Sequence, residues 1–323
     1  MKLILPIEVA DEIQPHLPED IKFVRADVDG NIDGDATDAE VYFSWLYYIK
    51  PTTLQKVLNA APKLRWHQAT NAGVNNILTP QYLEREIILT NGAGLHAIPM
   101  AEFVIAYILS YAKNFQKLHE LQAQKSWQRG LRSEELQDKT LLIIGAGGIG
   151  QEIAKRAKAF GLNIYGSRRH PQPLANFDKV VGANEWKPLL SEAHYVVIAT
   201  PLTRETKGLI DAEVFNLMRP DAYLINIARG AIVDEPALIE ALQAGKIAGA
   251  ALDTVFTEPL LPESPLWTQP NIFITPHCSG HSPKTKERAM PAAGCAYALF
   301  LDNFTRHYNG QPLRNIVDKD AGY

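Results

Sequence analysis

One junction near the middle of the chain restricts its fold more than anything else in the sequence. Thr140–Ile144 is an unbroken apolar run, it leads directly into Gly145-Ala146-Gly147-Gly148-Ile149-Gly150, and a helical pattern follows from Gln151 to Phe160. A glycine pattern alone is weak, but strand, G-x-G-x-x-G and helix in immediate succession are specific for a turn that cradles a dinucleotide pyrophosphate. Gly145 would permit the tight turn, Gly147 the close approach of backbone to phosphate, and Gly150 the packing of helix on strand, with Gly148 and Ile149 opening the helix.

The rest of the chain repeats this alternation. Short β-type runs at 3–5, 21–24, 41–45, 64–69 and 87–90 are separated by helical patterns, then a long apolar-periodic helix is expected from Pro99 to Gln124. After the glycine junction, strands are expected at 162–166, 195–199, 223–227, 247–252 and 272–275, and a closing helix over 283–308. The expected fold is α/β, with two Rossmann-like or flavodoxin-like domains built on doubly wound parallel sheets. Residues 1–97 plus 288–323 are read as a discontinuous substrate domain, and 98–287 as the dinucleotide-binding domain.

Composition narrows the partners. The 323 residues are 46% hydrophobic and 21% charged, enough for two sizeable cores. A formal charge of −4 argues against binding nucleic acid or an anionic lipid surface, and no apolar stretch approaches the roughly 20 residues that span a bilayer. Two cysteines, Cys278 and Cys295, support neither a disulfide framework nor a thiolate metal cluster. The expectation is a cytoplasmic protein without a metal site, acting on small molecules.

Cofactor preference is legible in the second strand of the nucleotide unit. An acidic residue about 20 positions past the glycines would accept the ribose hydroxyls of NAD, whereas arginine there accommodates the 2′-phosphate of NADP. Here the strand ends in Ser167, Arg168 and Arg169, and no acid appears before Asp178. A guanidinium fork with a neighbouring hydroxyl suits a phosphate dianion. NADP(H) is therefore expected to be preferred, with NAD(H) possible.

Three later segments carry chemistry: NIARGAIVDEPAL (226–238), ALDTVFTEPL (251–260) and TPHCSG (275–280). Arg229 follows an apolar strand, so its guanidinium should emerge where α/β sheets bind ligands, suited to a 2-oxo carboxylate and to the charge that develops on a keto oxygen. His277 also follows a strand, and histidine is the natural proton donor to an incipient alkoxide. Glu258 at a third strand end could orient that imidazole. Cys278 is not read as a nucleophile, because no second base is evident for a thiolate.

These segments, together with GAGGIG and HAIPMAE (96–102), resemble the D-isomer-specific 2-hydroxyacid dehydrogenase family, in particular its NADP-preferring glyoxylate/hydroxypyruvate reductase-like or broad 2-oxo acid reductase branch. The resemblance runs from about Thr70 onward. It implies Arg229 as substrate binder, His277 as acid/base and Glu258 as its support, and hydride transfer from NADPH to a 2-oxo acid. It also implies substrate-carboxylate binding by the amides of Gly73 and Val74. Thr200, Pro201, Thr203 and Thr206 would then line the cofactor, Ala228 would lie beside the nicotinamide and Asp253 would meet its amide. A homodimer is implied as well.

Trp45, in the aromatic run Phe43 to Tyr48, is a candidate lining residue for a larger 2-oxo acid. Ile227 stands where the family commonly has threonine. An alternative of another class is a non-enzymatic NAD(P)-sensing interaction protein on the same fold, which the full Arg, Glu and His set disfavours. Formate or phosphite oxidation is a third reading; formate enzymes pair their histidine with glutamine, and the partner here is Glu258.

Overall fold

The computed structural model describes residues 1–44, 50–74, 76–131, 133–269, 271–282, 298–320 and 322. Contacts divide the chain into two compact units, Met1–Leu95 with Ser282–Tyr323, and His96–His281.

In the first unit, β1 (Lys2–Pro6), α1 (Ala10–Ile13), β2 (Lys22–Ala26), β3 (Val41–Ser44), α2 (Pro51–Ala60), β4 (Trp66–Ala69), α3 (Pro80–Leu83) and β5 (Ile88–Thr90) follow one another. The five strands form one sheet in the order β2-β1-β3-β4-β5, every pairing parallel. Apolar clusters cover both faces: Ile4, Val24, Tyr42 and Leu89 belong to one, and Leu3, Leu5, Val41, Phe43 and Trp66 to the other. That division follows from side chains alternating across a strand.

The second unit starts with α4 (Ala97–Ala112) and α5 (Phe115–Ala123). The single helix expected over 99–124 is therefore two. Asn114 adopts φ 55° and ψ 41°, a left-handed conformation that asparagine tolerates and a continuous helix cannot contain. Then come β6 (Thr140–Ile144), α6 (Gly148–Lys158), β7 (Asn163–Arg168), β8 (Lys179–Gly182), β9 (Tyr195–Ile198), α7 (Ala212–Leu217), β10 (Tyr223–Asn226), α8 (Glu235–Gln243), β11 (Gly249–Leu252) and β12 (Ile272–Ile274). Strand β8 was not anticipated. It is a short edge strand, half-buried and paired only to β7.

All seven strands are parallel, in the order β12-β11-β10-β9-β6-β7-β8. Leu142, Ile144, Val196, Ile198 and Leu224 face one core, while Leu141, Ile143, Tyr195, Val197 and Ile225 face the other. Helices α4 and α6 lie on the second face, where Ala101, Val104 and Ile108 meet Ile153, Ala154 and Ala157. The α/β doubly wound architecture is as expected.

Helix α9 (Ala298–Tyr308) belongs to the first unit, and Phe300 and Phe304 bury there against Phe43 and Trp66. The earlier part of the expected closing helix, 283–297, lies outside the described residues. Among the described residues no helix is long and apolar enough to cross a membrane.

Candidate active site

Because the seven-stranded sheet is parallel, the residues following β6, β7, β9, β10, β11 and β12 all gather at one edge. The glycines come first. Gly145 has φ +106°, and a Cβ there would lie 2.6 Å from the carbonyl carbon of Ala199. A Cβ on Gly150 would lie 2.5 Å from the Gly145 carbonyl oxygen, whereas nothing stands within 4 Å of one on Gly147 or Gly148. Two glycines thus permit a tight fold-back and two leave open backbone at the start of α6, so the turn fits a dinucleotide pyrophosphate.

Beyond the turn, Ser167 is buried and Arg168 half-buried at the end of β7, and Arg169 is exposed. The first acid after this strand is engaged at the other end of it: Asp178 pairs with Lys158 at 2.7 Å and accepts the Ile164 amide at 2.7 Å. The Lys158 hydrogen bond, then the Ile164 amide, hold its carboxyl below the ordinary range. Thr200, Pro201, Thr203 and Thr206 form a self-laced loop after β9. Thr206 Oγ1 donates to the Pro201 carbonyl at 2.6 Å and accepts the Thr203 amide at 2.7 Å.

Arg229 leaves β10 in extended conformation, and Gly230 presses so closely on Val255 that a Cβ would stand 1.9 Å from its carbonyl carbon. Asn226 shapes this bend by accepting the Ala228 amide and donating to the Arg229 carbonyl, both at 3.0 Å. The guanidinium donates to the Ala228 carbonyl at 2.7 Å. Burial lowers its pKa from the ordinary value and the charge of Glu258 opposes this.

Glu258 accepts the Val255 amide through Oε1 at 3.2 Å and meets His277 Nδ1 through Oε2 at 2.8 Å. Burial favours its neutral form, but the His277 hydrogen bond and charge, the Val255 amide and Arg229 outweigh it, so the carboxyl sits below the ordinary range. A carboxylate only accepts, so Nδ1 carries the proton of this bond. The His277 side chain is 46% exposed, and among the described residues Nε2 has no hydrogen-bond partner. Glu258 thus contacts His277 directly, and the charge of Arg229 reaches Glu258.

Asp253, directly after β11, reaches across to the turn after β12 that carries His277. It is 1% exposed, and its carboxylate accepts Thr275 Oγ1 and the amides of Cys278 and Ser279. Tyr107, absent from the residues the sequence singled out, joins this cluster from α4, its hydroxyl 2.6 Å from Thr275 Oγ1. An apolar-periodic helix reads tyrosine as core, so only the far end of its ring could have signalled the link.

In the first unit, Gly73 and Val74 follow β4, with the Val74 side chain wholly buried. Among the described residues their amides donate no hydrogen bond. Trp45 lies outside the described residues, as does Cys295. The described residues contain no group of three or more His, Cys, Asp or Glu that could hold a metal ion.

Comparison with known proteins agrees with this geometry. Residues 105–279 match the family model described as D-isomer specific 2-hydroxyacid dehydrogenase, NAD binding domain. A glyoxylate reductase of Thermococcus litoralis is 33% identical over 277 residues, 83% of this chain and 81% of that protein. A D-3-phosphoglycerate dehydrogenase of Methanocaldococcus jannaschii is 35% identical over 264 residues, 81% of this chain, which spans only about half, 49%, of that longer relative. Among solved structures, a D-isomer specific 2-hydroxyacid dehydrogenase of Xanthobacter autotrophicus Py2 in complex with NADPH and MES superposes with a TM-score of 0.84 at 26% identity, over 100% of this chain and 99% of that one. With its fingerprint glycines, its clustered Arg229, Glu258 and His277, and these matches, the chain belongs to the D-isomer specific 2-hydroxyacid dehydrogenase family and carries its nicotinamide-nucleotide-binding domain.

Proposed function

We propose that this chain is an NADPH-preferring reductase that converts a small 2-oxo acid to the D-2-hydroxy acid, with glyoxylate and hydroxypyruvate as first candidates. The observation that carries the reading is the 2.8 Å contact between His277 Nδ1 and Glu258 Oε2, within the electrostatic reach of Arg229. A bound nicotinamide nucleotide supplies the hydride. Gly145, Gly147, Gly148, Ile149 and Gly150 would hold its pyrophosphate, and Thr200, Pro201, Thr203, Thr206 and Ala228 would line the rest.

The chain's own residues supply the remaining chemistry. Arg229 holds the substrate carboxylate with a fixed fork of donors and polarises the keto oxygen. His277 gives its Nε2 proton to that oxygen as it becomes a hydroxyl, while Glu258 fixes the ring through Nδ1 and balances the imidazolium charge. Gly73 and Val74 are proposed as further carboxylate anchors, supported by amides without an acceptor among the described residues. Trp45 is proposed to contribute to substrate selection.

NADPH preference is supported by Arg168 beside Ser167, and by Asp178 being committed to Lys158 and Ile164. A cytoplasmic homodimer completes the proposal, and size-exclusion chromatography with light scattering tests the assembly. The decisive experiment follows NADPH oxidation spectrophotometrically across a panel of 2-oxo acids. Saturable turnover is expected with at least one of glyoxylate, hydroxypyruvate or a branched-chain or aromatic 2-oxo acid. NADPH binding without turnover on any of them would favour a sensing protein instead.

A further inference from the structure

Helix α4 contributes an unexpected polar group to the site. Tyr107 is 2% exposed, within a face of α4 that otherwise contributes Ala101, Val104, Ile105 and Ile108 to the core. Its ring meets Phe273 edge-on with centroids 5.7 Å apart, a contact that phenylalanine would make equally well. Burying a phenol hydroxyl costs free energy unless the hydroxyl finds a partner. Here the partner is Thr275 Oγ1, 2.6 Å away.

The direction of each bond follows from the neighbours. Asp253 Oδ1 accepts the Cys278 amide at 2.9 Å and the Ser279 amide at 3.2 Å, and Oδ2 accepts the Ser279 amide at 3.1 Å, so both oxygens act as acceptors. Thr275 Oγ1 therefore gives its only proton to Asp253 Oδ1, at 2.6 Å. Having spent that proton, Thr275 can only accept from Tyr107. Burial, with the Asp253 charge adding to it against the Thr275 bond, raises the phenol far above its ordinary value, which keeps it the donor.

This chain of bonds ends on a strained turn. His277 has φ +51°, the left-handed region that side chains other than glycine enter only at a cost in strain. Its amide donates to the Asp253 carbonyl at 2.9 Å and to the Thr275 carbonyl at 3.0 Å. The backbone of Asp253 thus holds the His277 amide, and its side chain holds the next two amides. A loosened clamp would let His277 leave that conformation and turn its ring from Glu258.

We propose that Tyr107 is a positioning residue for His277, acting through the directed hydrogen-bond chain Tyr107 to Thr275 to Asp253 that locks the 275–279 turn. The proposal rests on the reading of His277 as the proton donor for reduction of a 2-oxo acid. It adds a residue from a helix distant in sequence, chosen for a hydroxyl that packing does not require.

The test uses the full chain and the variants Tyr107→Phe, Thr275→Val and Thr275→Ser. With NADPH and glyoxylate, or whichever 2-oxo acid the panel selects, Tyr107→Phe should lower kcat at least about fivefold, the rate equivalent of one lost hydrogen bond, with both KM values within about twofold. Thr275→Val should do the same or more, Thr275→Ser should recover most of the loss, and the Tyr107→Phe/Thr275→Val double variant should be no worse than Thr275→Val alone. A second readout needs no turnover. The downfield proton NMR signal of His277 Nδ1–H, assigned by its loss in Glu258→Gln, should exchange with water several-fold faster in Tyr107→Phe and Thr275→Val.

Wild-type exchange rates in both variants would overturn the proposal, whatever their melting temperatures. So would wild-type kcat in Tyr107→Phe in an active enzyme. Absence of turnover in the wild-type protein on every 2-oxo acid would instead count against the proposed function, and the exchange measurement would still decide the role of Tyr107.

Discussion

His277 Nδ1 stands 2.8 Å from Glu258 Oε2, and this pair joins two loops nineteen residues apart that leave neighbouring parallel strands. Replacing Glu258 by Gln keeps the shape and removes the charge that supports an imidazolium. We expect kcat for 2-oxo acid reduction to fall about 10²-fold, within the usual range for general acid–base assistance, with NADPH affinity unchanged. Steady-state kinetics alongside fluorescence titration of NADPH check both halves, and near-native kcat would remove Glu258 from the mechanism.

The same carboxyl has a linkage consequence. Its pKa is lowered in the folded chain, so whatever stability it contributes is present above the unfolded value of 4.5 and is lost as pH falls through the lower folded value. Urea midpoints measured from pH 6 down to pH 3 should therefore converge between wild type and Glu258→Gln at the acid end. Divergence toward low pH would show that the sign is wrong.

Arg229 is the residue whose geometry matters beyond its charge. Arg229→Lys preserves the charge but loses the fork, and kcat/KM for the 2-oxo acid should drop by about two orders of magnitude or more. The loss should appear in kcat as well as KM, because the keto oxygen gains charge as the reaction proceeds. A change confined to KM would reduce Arg229 to ground-state binding.

Arg168→Asp should reverse cofactor choice. An acid at this strand end repels a 2′-phosphate and can accept from a ribose hydroxyl, so the NADPH to NADH ratio of kcat/KM should fall at least about tenfold. Asp178 will not compensate, being bound to Lys158 and Ile164. An unchanged ratio would locate phosphate recognition elsewhere.

The glycine turn separates stability from binding. Gly150→Ala drives a Cβ to within 2.5 Å of the Gly145 carbonyl oxygen and should destabilise the fold by roughly 1–3 kcal/mol, visible in urea denaturation. Gly147→Ala meets nothing within 4 Å and should leave the melting temperature near wild type while weakening NADPH binding. Equal effects of the two variants on both quantities would contradict the assigned roles.

His67 predicts how the first unit responds to acid. It is fully buried between Ser44 Oγ at 2.9 Å and the Tyr82 hydroxyl at 3.3 Å, and burial lowers its pKa from 6.5 to about 3. The folded chain holds it neutral while the unfolded chain protonates below 6.5, so its contribution is complete above 6.5 and declines toward pH 3, by up to about 1.4 kcal/mol per unit. The decline in unfolding free energy from pH 7 to 5 should be smaller in His67→Gln than in wild type. Equal slopes would place the acid sensitivity elsewhere.

Much of this was legible in the amino acids alone. Strand β6, the glycine turn and α6 announce themselves because an apolar run, glycines at fixed offsets and a helical period are local signals, read without knowing any neighbour. Arg229, Glu258 and His277 were expected as site residues from their places after strands of a parallel sheet, whose carboxyl ends share one edge, together with the resemblance of their segments to the family. Asn114 shows the limit of such reading: a break in α4–α5 depends on one residue's φ, which periodicity does not register. What only the tertiary structure decided is how the site is held, with Asp253 drawn into the His277 turn, Asp178 into the start of β7, and the Tyr107 hydroxyl onto Thr275. These are contacts between residues distant in sequence. A sequence states which polar groups exist, but which of them must satisfy one another is settled only when folding removes water and leaves each buried donor the acceptors within reach.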